Sequence, residues 1–215
     1  GFLEVETPLI EYYDVFSSGV GAIAQEQMFK LFDKEGRILS LRPDVTTPIA
    51  RLFATKMRDE ELPQRLCYLG SAFGYDASRA GRACQFTQAG VEMIGASGPD
   101  ADAELVALAI DALHEAGVRN FQMEIGQVDF FKGLMEEAGL SDADAQTLCT
   151  HVASKNMLAI DLLLRTLHVS DSLQDLIRRL PTLYGSADVI NEAERATEST
   201  RARAALQNLR AIYDI

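Results

Sequence analysis

The stretch FGYDASRAGRACQFTQAGVEMIG, residues 73–95, decides the fold of the first half of the chain. It contains a run of charged and small residues between two apolar segments, RLCYLGSAFGY (65–75) and CQFTQAGVEMIG (84–95). Two strand-like segments joined by a polar turn are typical of a β-hairpin. We therefore predict an antiparallel strand pair over these residues, with its turn near residue 80.

Strand-like and helix-like patterns alternate on both sides of this hairpin, from residue 1 to about residue 127. Short turns join strands that are neighbours in sequence, which favours an antiparallel sheet. The predicted fold class is therefore α+β, with helices flanking the sheet. The further elements that we predict are a β-rich run at 2–10, a hairpin around Lys34-Glu35-Gly36, helices at 46–57 and 100–115, and a strand at 120–128.

The pattern from residue 128 onward is almost wholly helical, with short amphipathic segments separated by Gly, Ser-Asp or Pro. We therefore predict two parts, a core fragment at 1–127 and a helical insertion or extension module at 128–215. The sequence starts at Gly1 and stops at Ile215 within an apolar run. Both features lead us to expect a fragment of a longer protein.

Composition excludes several functional classes. The 215 residues are 47% hydrophobic, which is enough for a substantial core. The net charge of -12 and pI near 4.7 weigh against a nucleic-acid clamp, because phosphate binding needs clustered Lys and Arg. No apolar run has the length of a membrane span. We expect a soluble cytoplasmic protein that uses neither membrane nor nucleic acid.

No metal or cofactor site is predicted. Cys67, Cys84 and Cys149 are scattered without a C-x-x-C pair, and the three histidines lack the spacing of metal ligands. GVGAIA (19–24) fits the loose pattern G-x-G-x-x-A, but neither a buried strand before it nor a helix after it is predicted. A loop is the better interpretation of that segment.

Two pairs of polar residues are candidates for ligand binding. In LRPDVTTP (41–48), Asp44 and Thr46 stand where a strand turns into a helix, so either side chain could simply cap the helix. In the second arm of the hairpin, period two places Gln88, Gly90 and Glu92 on one face, with Phe86 beside them. Two acids and an amide in one pocket suit a ligand with an ammonium group. A solvent-facing polar side of the sheet is the alternative.

The same periodicity places Thr87, Ala89, Val91 and Met93 on the opposite face of that arm. These residues are less polar, so we predict that a helix packs on their face.

Three segments together resemble the catalytic core of the histidyl-tRNA synthetases, a class II synthetase fold: EVETPLIE (4–11), LRPDVTTPIAR (41–51) and the hairpin with its pattern G-R-x-x-Q-F-x-Q-x-G-V-E. Within that group, LRPDVTTPIAR and QFTQAGVEMIG are most similar to the synthetase-like regulatory subunits of ATP phosphoribosyltransferase. The resemblance covers residues 1–127 well, and the helical remainder in general character only.

The resemblance implies a role for several residues. The positions of the family's amino-acid ligands are Asp44, Thr46, Gln88 and Glu92, which implies a histidine-binding pocket. The arginine that grips the α-phosphate of ATP corresponds to Gly74, so the nucleotide site, which would include Asp76 and Arg82, is degenerate. Glycine has no side chain to replace a permanently charged guanidinium, so we expect little adenylate formation.

The resemblance implies a non-catalytic subunit that binds the catalytic phosphoribosyltransferase in a hetero-oligomer, acts in histidine biosynthesis, and transmits allosteric inhibition by histidine. It also implies self-dimerisation through the N-terminal motif that ends near Pro8. Two alternatives remain open. One is a working histidyl-tRNA synthetase, and the other is an interaction scaffold without a ligand.

Overall fold

The computed structural model describes residues 1–17, 28–74, 84–166 and 170–215. These residues form two compact units, Gly1–Ala96 and Ser97–Ile215. The division after Ala96 precedes the boundary that composition suggests near residue 127. It concerns compactness alone, so the assignment of 1–127 to a synthetase-like core stays a prediction. The GVGAIA loop, Asp76 and Arg82 lie outside the described residues.

The first unit contains two three-stranded sheets, ordered β1-β5-β6 and β2-β4-β3, and two helices. Its elements are β1 (Leu3–Glu4), β2 (Ile10–Tyr12), α1 (Asp14–Ser17), β3 (Lys30–Phe32), β4 (Ile38–Leu41), α2 (Thr46–Lys56), β5 (Gln64–Phe73) and β6 (Gln85–Ile94). Both predicted hairpins are present, as β3–β4 and β5–β6, and both are antiparallel. The α+β fold class is confirmed.

One pairing differs from the antiparallel prediction, because β1 runs parallel to β5. The connection between β1 and β5 includes β2 to β4 and α2, which is long enough to return the chain in the same direction. The hairpin turn of β3–β4 contains Gly36 at a φ of 78°, a conformation that glycine adopts without steric cost.

The second unit is helical. Its helices are α3 (Pro99–Glu115), α4 (Val128–Glu137), α5 (Asp142–Ala153), α6 (Met157–Leu164), α7 (Asp171–Arg179), α8 (Ala187–Ala196) and α9 (Thr200–Asp214), with a 3-10 turn at Leu180–Thr182. Serine side chains accept backbone N–H bonds at the starts of α5, α7 and α9, which is the usual N-cap arrangement. Helix α9 packs against α3, α4 and α8.

The strand predicted at 120–128 is wrong. Residues 121–127 carry no helix or strand assignment, and α4 begins at Val128. Helix α8 was not predicted from the sequence. A strand exists only where a neighbouring strand accepts and donates its backbone hydrogen bonds, and no described strand pairs with this segment.

The apolar core of the second unit contains fourteen buried residues, among them Leu134, Leu148, Ile160 and Ile177, each 0% exposed. The apolar core of the first unit is smaller. Val45, Ile49, Leu66 and Tyr68 form it, and Val5, Met57 and Ile94 pack at its edge. This small core lies where α2 meets the β5–β6 hairpin and therefore positions the candidate site.

Candidate functional site

Asp44 holds the start of helix α2. Its Oδ1 accepts a hydrogen bond from the backbone N–H of Thr47 at 2.7 Å, and its Oδ2 lies 3.3 Å from Thr47 Oγ1. Asp44 therefore accepts from a free N–H in the first turn of α2, as the capping interpretation predicts, although Val45 occupies the N-cap position itself. A carboxylate has about four acceptor positions, so capping does not exhaust its capacity to bind a ligand.

Two arginines of the LRPDVTTPIAR segment tie this region together. Arg42 is 4% exposed, and its Nε donates to the carbonyl oxygen of Ser71 at 2.7 Å. Its Nη1 donates to the carbonyl oxygen of Thr7 at 2.6 Å and to Thr7 Oγ1 at 2.9 Å. Arg51 forms an ion pair with Glu11, a buried acid of β2. Much of this motif is thus used to join β2, β5 and α2.

The register of the hairpin decides which residues share a face. Leu66 lies opposite Glu92, Tyr68 opposite Gly90, and Gly70 opposite Gln88. Residues directly opposite each other in an antiparallel pair project to the same side. Gln88 and Glu92 therefore lie on the face that carries Leu66 and Tyr68.

That face is also the one on which α2 packs, because Leu66 and Tyr68 belong to one cluster with Ile49 of α2. The prediction that a helix packs on the face of Thr87, Ala89, Val91 and Met93 is wrong for α2. Leu69, which projects to that other side opposite Ala89, is 70% exposed. The physical reason is that β5, not β6, supplies the apolar surface that α2 covers.

Tyr68 brings the four predicted ligand residues together. Gln88 Nε2 donates to the Tyr68 hydroxyl oxygen at 3.0 Å. Burial raises the pKa of Tyr68, a side-chain hydrogen bond with Thr46 lowers it, and the nearby negative charges of Glu92 and Asp44 raise it further. Gln88 and Thr46 therefore bond with this hydroxyl, and the carboxylates of Asp44 and Glu92 act on it by charge. Sequence reasoning missed Tyr68, because its position opposite Gly90 depends on the cross-strand register.

Gly90 makes this arrangement possible. A Cβ atom built on Gly90 would lie 2.5 Å from Tyr68 Cζ and 2.9 Å from Cε1, so no larger residue fits while Tyr68 keeps its place. The bare backbone that the sequence places between Gln88 and Glu92 thus accommodates the tyrosine ring. The close approach places the phenol between the two polar side chains.

The other end of the hairpin contains the position of the missing arginine. Gly74 donates its backbone N–H to the carbonyl oxygen of Cys84 at 2.9 Å. A Cβ on Gly74 would make only an ordinary contact of 3.8 Å with Phe86. The neighbouring predictions, Asp76 and Arg82, lie outside the described residues. The degenerate nucleotide site therefore stays a prediction.

The second unit has a cleft of its own, about 380 Å³ in volume. Residues 122–127, the 3-10 turn, α8 and α9 line it, and apolar side chains such as Phe130, Leu206 and Leu209 contribute most of its walls. Its described lining contains no tyrosine that bonds with an amide between two carboxylates, as Tyr68 does in the first unit. Within the described ranges, no group of three or more metal-ligating side chains occurs and no helix is long and apolar enough to cross a bilayer.

The chemistry of the Tyr68 site favours a cationic or hydrogen-bond-donating ligand. The carboxylates of Asp44 and Glu92 lie near enough to the Tyr68 hydroxyl to act on it by charge. Gln88 uses its N–H on Tyr68, which leaves its carbonyl oxygen as a further acceptor. An ammonium or imidazole N–H would satisfy such acceptors.

The α+β architecture, with its long hairpin, is that of a class II synthetase core. The chain belongs to the histidyl-tRNA synthetase family, whose model matches residues 1–215.

Curated relatives carry a more specific name. The ATP phosphoribosyltransferase regulatory subunit of Acetivibrio thermocellus is 50% identical over 215 residues, covering 100% of this chain and 51% of the relative. The protein of the same name from Ruminiclostridium cellulolyticum is 43% identical, again over 100% of this chain and 51% of the relative. The chain therefore spans about half the length of these curated relatives.

A solved structure is similar over the whole chain. It is described as an ATP phosphoribosyltransferase regulatory subunit/histidyl-tRNA synthetase from Bacillus halodurans, and it is 34% identical with a TM-score of 0.87. The match covers 100% of this chain and 55% of that one. It confirms the expected fold.

Proposed function

We propose that the chain is part of an ATP phosphoribosyltransferase regulatory subunit, a cytoplasmic and non-catalytic component of histidine biosynthesis. The names of relatives at 50% and 43% identity over the full chain support this proposal. The acidic composition and the scattered cysteines are compatible with a reducing cytoplasm. The partner is the catalytic phosphoribosyltransferase subunit, which the regulatory subunit would join in a hetero-oligomer.

Self-association through the N-terminal motif is part of the same proposal. Leu3, Leu9 and Ile10 are 56%, 47% and 47% exposed, so this segment presents apolar side chains to its surroundings. Covering such side chains in a subunit interface is favourable, at about 25 cal/mol per Å² of apolar surface. Analytical ultracentrifugation of the full-length protein with Leu9→Asp and Ile10→Asp should then show dissociation into smaller species.

The ligand that the Tyr68 site supports best is histidine. The observation that carries this assignment is the Tyr68 hydroxyl, which bonds with Gln88 and Thr46 and feels the negative charges of Glu92 and Asp44. Both carboxylates and the amide oxygen can accept hydrogen bonds from the α-ammonium group and the imidazole ring of histidine. Gly90 leaves room for the Tyr68 ring, and the bond from Thr47 N–H holds the Asp44 carboxylate at the start of α2.

Feedback inhibition follows if histidine binds the inhibited state of the complex more tightly than the active state. A ligand shifts an equilibrium only by its difference in affinity between the two states, and the coupling is reciprocal. The catalytic subunit, when it is in its active state, would then weaken the binding of histidine to the regulatory subunit. Titration of the complex with histidine measures this change in affinity.

Isothermal titration of the full-length protein with histidine tests the pocket. The variants are Asp44→Asn, whose amide oxygen can still accept the Thr47 bond, and Glu92→Gln. Glu35→Gln, on the exposed β3–β4 turn, is the matched control. We expect each pocket variant to bind about ten- to a hundredfold more weakly, because hydrogen bonds to charged groups contribute about 1.5–3 kcal/mol. Unchanged affinity in both pocket variants would remove these residues from the site.

Histidyl-tRNA synthetase activity is the second candidate, favoured by the family description and by the double name of the Bacillus halodurans structure. Gly74 weighs against it, because adenylate formation needs a donor for the α-phosphate. Histidine-dependent pyrophosphate exchange by the full-length protein would establish this candidate. A ligand-free scaffold is the remaining possibility, and activation of the transferase without any histidine binding would favour it.

A further inference from the structure

Arg42 is a buried cation whose hydrogen-bonding capacity is only partly used. A guanidinium carries five N–H donors. Nε uses one on Ser71, and Nη1 uses two on the carbonyl and hydroxyl oxygens of Thr7. All three acceptors are uncharged. In the part of the chain that the structure describes, Nη2 donates no hydrogen bond and Arg42 makes no ion pair, although only 4% of the residue is exposed.

The free end of Arg42 lies on the ligand face of the hairpin. A Cβ built on Gly70 would be 3.4 Å from Arg42 Cζ and closer still to Nη2, so Nη2 lies directly over Gly70. Gly70 is paired with Gln88, and Tyr68 is two residues earlier in the same strand. The Tyr68 hydroxyl lies over Gly90, which is a diagonal neighbour of Gly70 at about 7–8 Å across the strand pair. The free donors are therefore within one small molecule's length of the Tyr68 hydroxyl.

We infer that Arg42 Nη2 binds the carboxylate of an α-amino acid whose ammonium group and side chain occupy the Tyr68 site. This inference rests on the proposed histidine pocket and adds its anion-binding end. Among the described residues, Arg42 Nη2 is not one of the buried side-chain atoms without a partner, so this donor is accessible to an anion. A carboxylate on Nη2 supplies both charge and acceptors, and the glycine at 70 leaves the space in which the guanidinium lies.

The test compares histidine with histidinol, in which a hydroxymethyl group replaces the carboxylate. Isothermal titration of the full-length protein gives the ratio of the two dissociation constants, first for the wild type and then for Arg42→Lys. We expect histidinol to bind the wild type about ten- to a hundredfold more weakly than histidine, as for loss of a charge-assisted hydrogen bond. Arg42→Lys keeps the positive charge but loses the planar set of guanidinium N–H donors. In this variant, the ratio of the histidinol and histidine dissociation constants should fall severalfold towards one.

A second variant tests the inference without removing Arg42, whose bonds to Thr7 and Ser71 also support the fold. Gly70→Ala places a methyl group against Nη2 and displaces it. It should weaken histidine binding severalfold more than histidinol binding. Arg51→Lys, in the same motif but paired with Glu11, is the control and should keep the wild-type ratio.

The outcomes distinguish failure of the Arg42 inference from failure of the proposed histidine pocket. Equal affinity of the wild type for histidine and histidinol overturns the role of Arg42 and leaves the pocket in place. An unchanged ratio in folded Arg42→Lys or in Gly70→Ala also overturns it. Absence of binding by both compounds contradicts the histidine pocket itself.

Discussion

The two compact units bury different kinds of side chain. Among the described residues, the helical unit buries sixteen apolar side chains, Pro181 included, and one polar one, Thr197. The sheet unit buries eight apolar side chains, Pro48 included, and four polar or charged ones: Thr7, Glu11, Ser40 and Arg42. The helical unit thus depends on apolar packing, whereas the sheet unit depends to a larger extent on specific hydrogen bonds.

This difference follows the location of the candidate site. Buried polar groups are tolerated only when they are hydrogen-bonded, so each of them fixes its neighbours in direction as well as in distance. In the sheet unit, Arg42 and the Glu11–Arg51 pair join the strands and the helix that carry Asp44, Gln88 and Glu92. A unit that must hold polar ligand groups in place benefits from such directional contacts more than from additional apolar volume.

The largest expected effect concerns the helical core. Leu134 of α4 is 0% exposed and belongs to the apolar cluster. Leu134→Ala should lower the free energy of unfolding by about 3–4 kcal/mol, since it creates a cavity among packed side chains. Urea unfolding and amide exchange of α4 and α9 measure the change. Leu158→Ala, at a position 71% exposed, is the control. Similar effects of the two substitutions would mean that the core is not the main source of stability.

An intermediate effect is expected at the close contact between Gly90 and the Tyr68 ring. Gly90→Ala brings a methyl group within 2.5 Å of Tyr68 Cζ, so the ring must move. Overpacking of this kind costs about 1–3 kcal/mol, and the displaced hydroxyl should also weaken histidine binding. Thermal unfolding and titration of the same sample measure both. Gly74→Ala, where the nearest atom is 3.8 Å away, should change neither property. A harmless Gly90→Ala would contradict the assigned position of Tyr68.

A smaller effect is expected from the polar network itself. Tyr68→Phe keeps the ring and removes the oxygen that accepts from Gln88. The loss should be about 1 kcal/mol, the usual net contribution of one neutral hydrogen bond. Denaturant unfolding measures it, with Tyr184→Phe as the control because Tyr184 is 59% exposed. If the two variants are equally stable, the Tyr68 hydroxyl contributes nothing to the fold.

The same residue predicts a pH dependence. Burial raises the pKa of Tyr68, so the folded state holds this proton more tightly than the unfolded state. Its contribution to stability is complete below about pH 10 and is lost as the pH rises through the folded-state pKa. Among the six tyrosines, one should therefore ionise late in an alkaline absorbance titration. Disappearance of that late component in Tyr68→Phe identifies it, and its persistence would assign it elsewhere.

Local sequence patterns predicted most of the elements. The turn at Lys34-Glu35-Gly36 and the long hairpin are where the alternation of apolar and polar residues placed them. Helices α2 and α3 begin and end within two residues of the predicted bounds. These features depend on neighbours in the chain, which a single sequence displays. Helix α8 was not singled out, although Ile190, Ala193 and Ala196 recur at helical spacing and pack in the apolar core.

The sequence by itself determined the α+β class and the family, and it predicted Asp44, Thr46, Gln88 and Glu92 as site residues. Only the tertiary structure decided which face of the hairpin α2 covers, that Tyr68 joins those residues, and that Arg42 lies over Gly70 with donors to spare. It also decided that residues 121–127 form no strand. The physical reason is that cross-strand register and helix packing depend on partners distant in sequence, and periodicity within one strand contains no information about them.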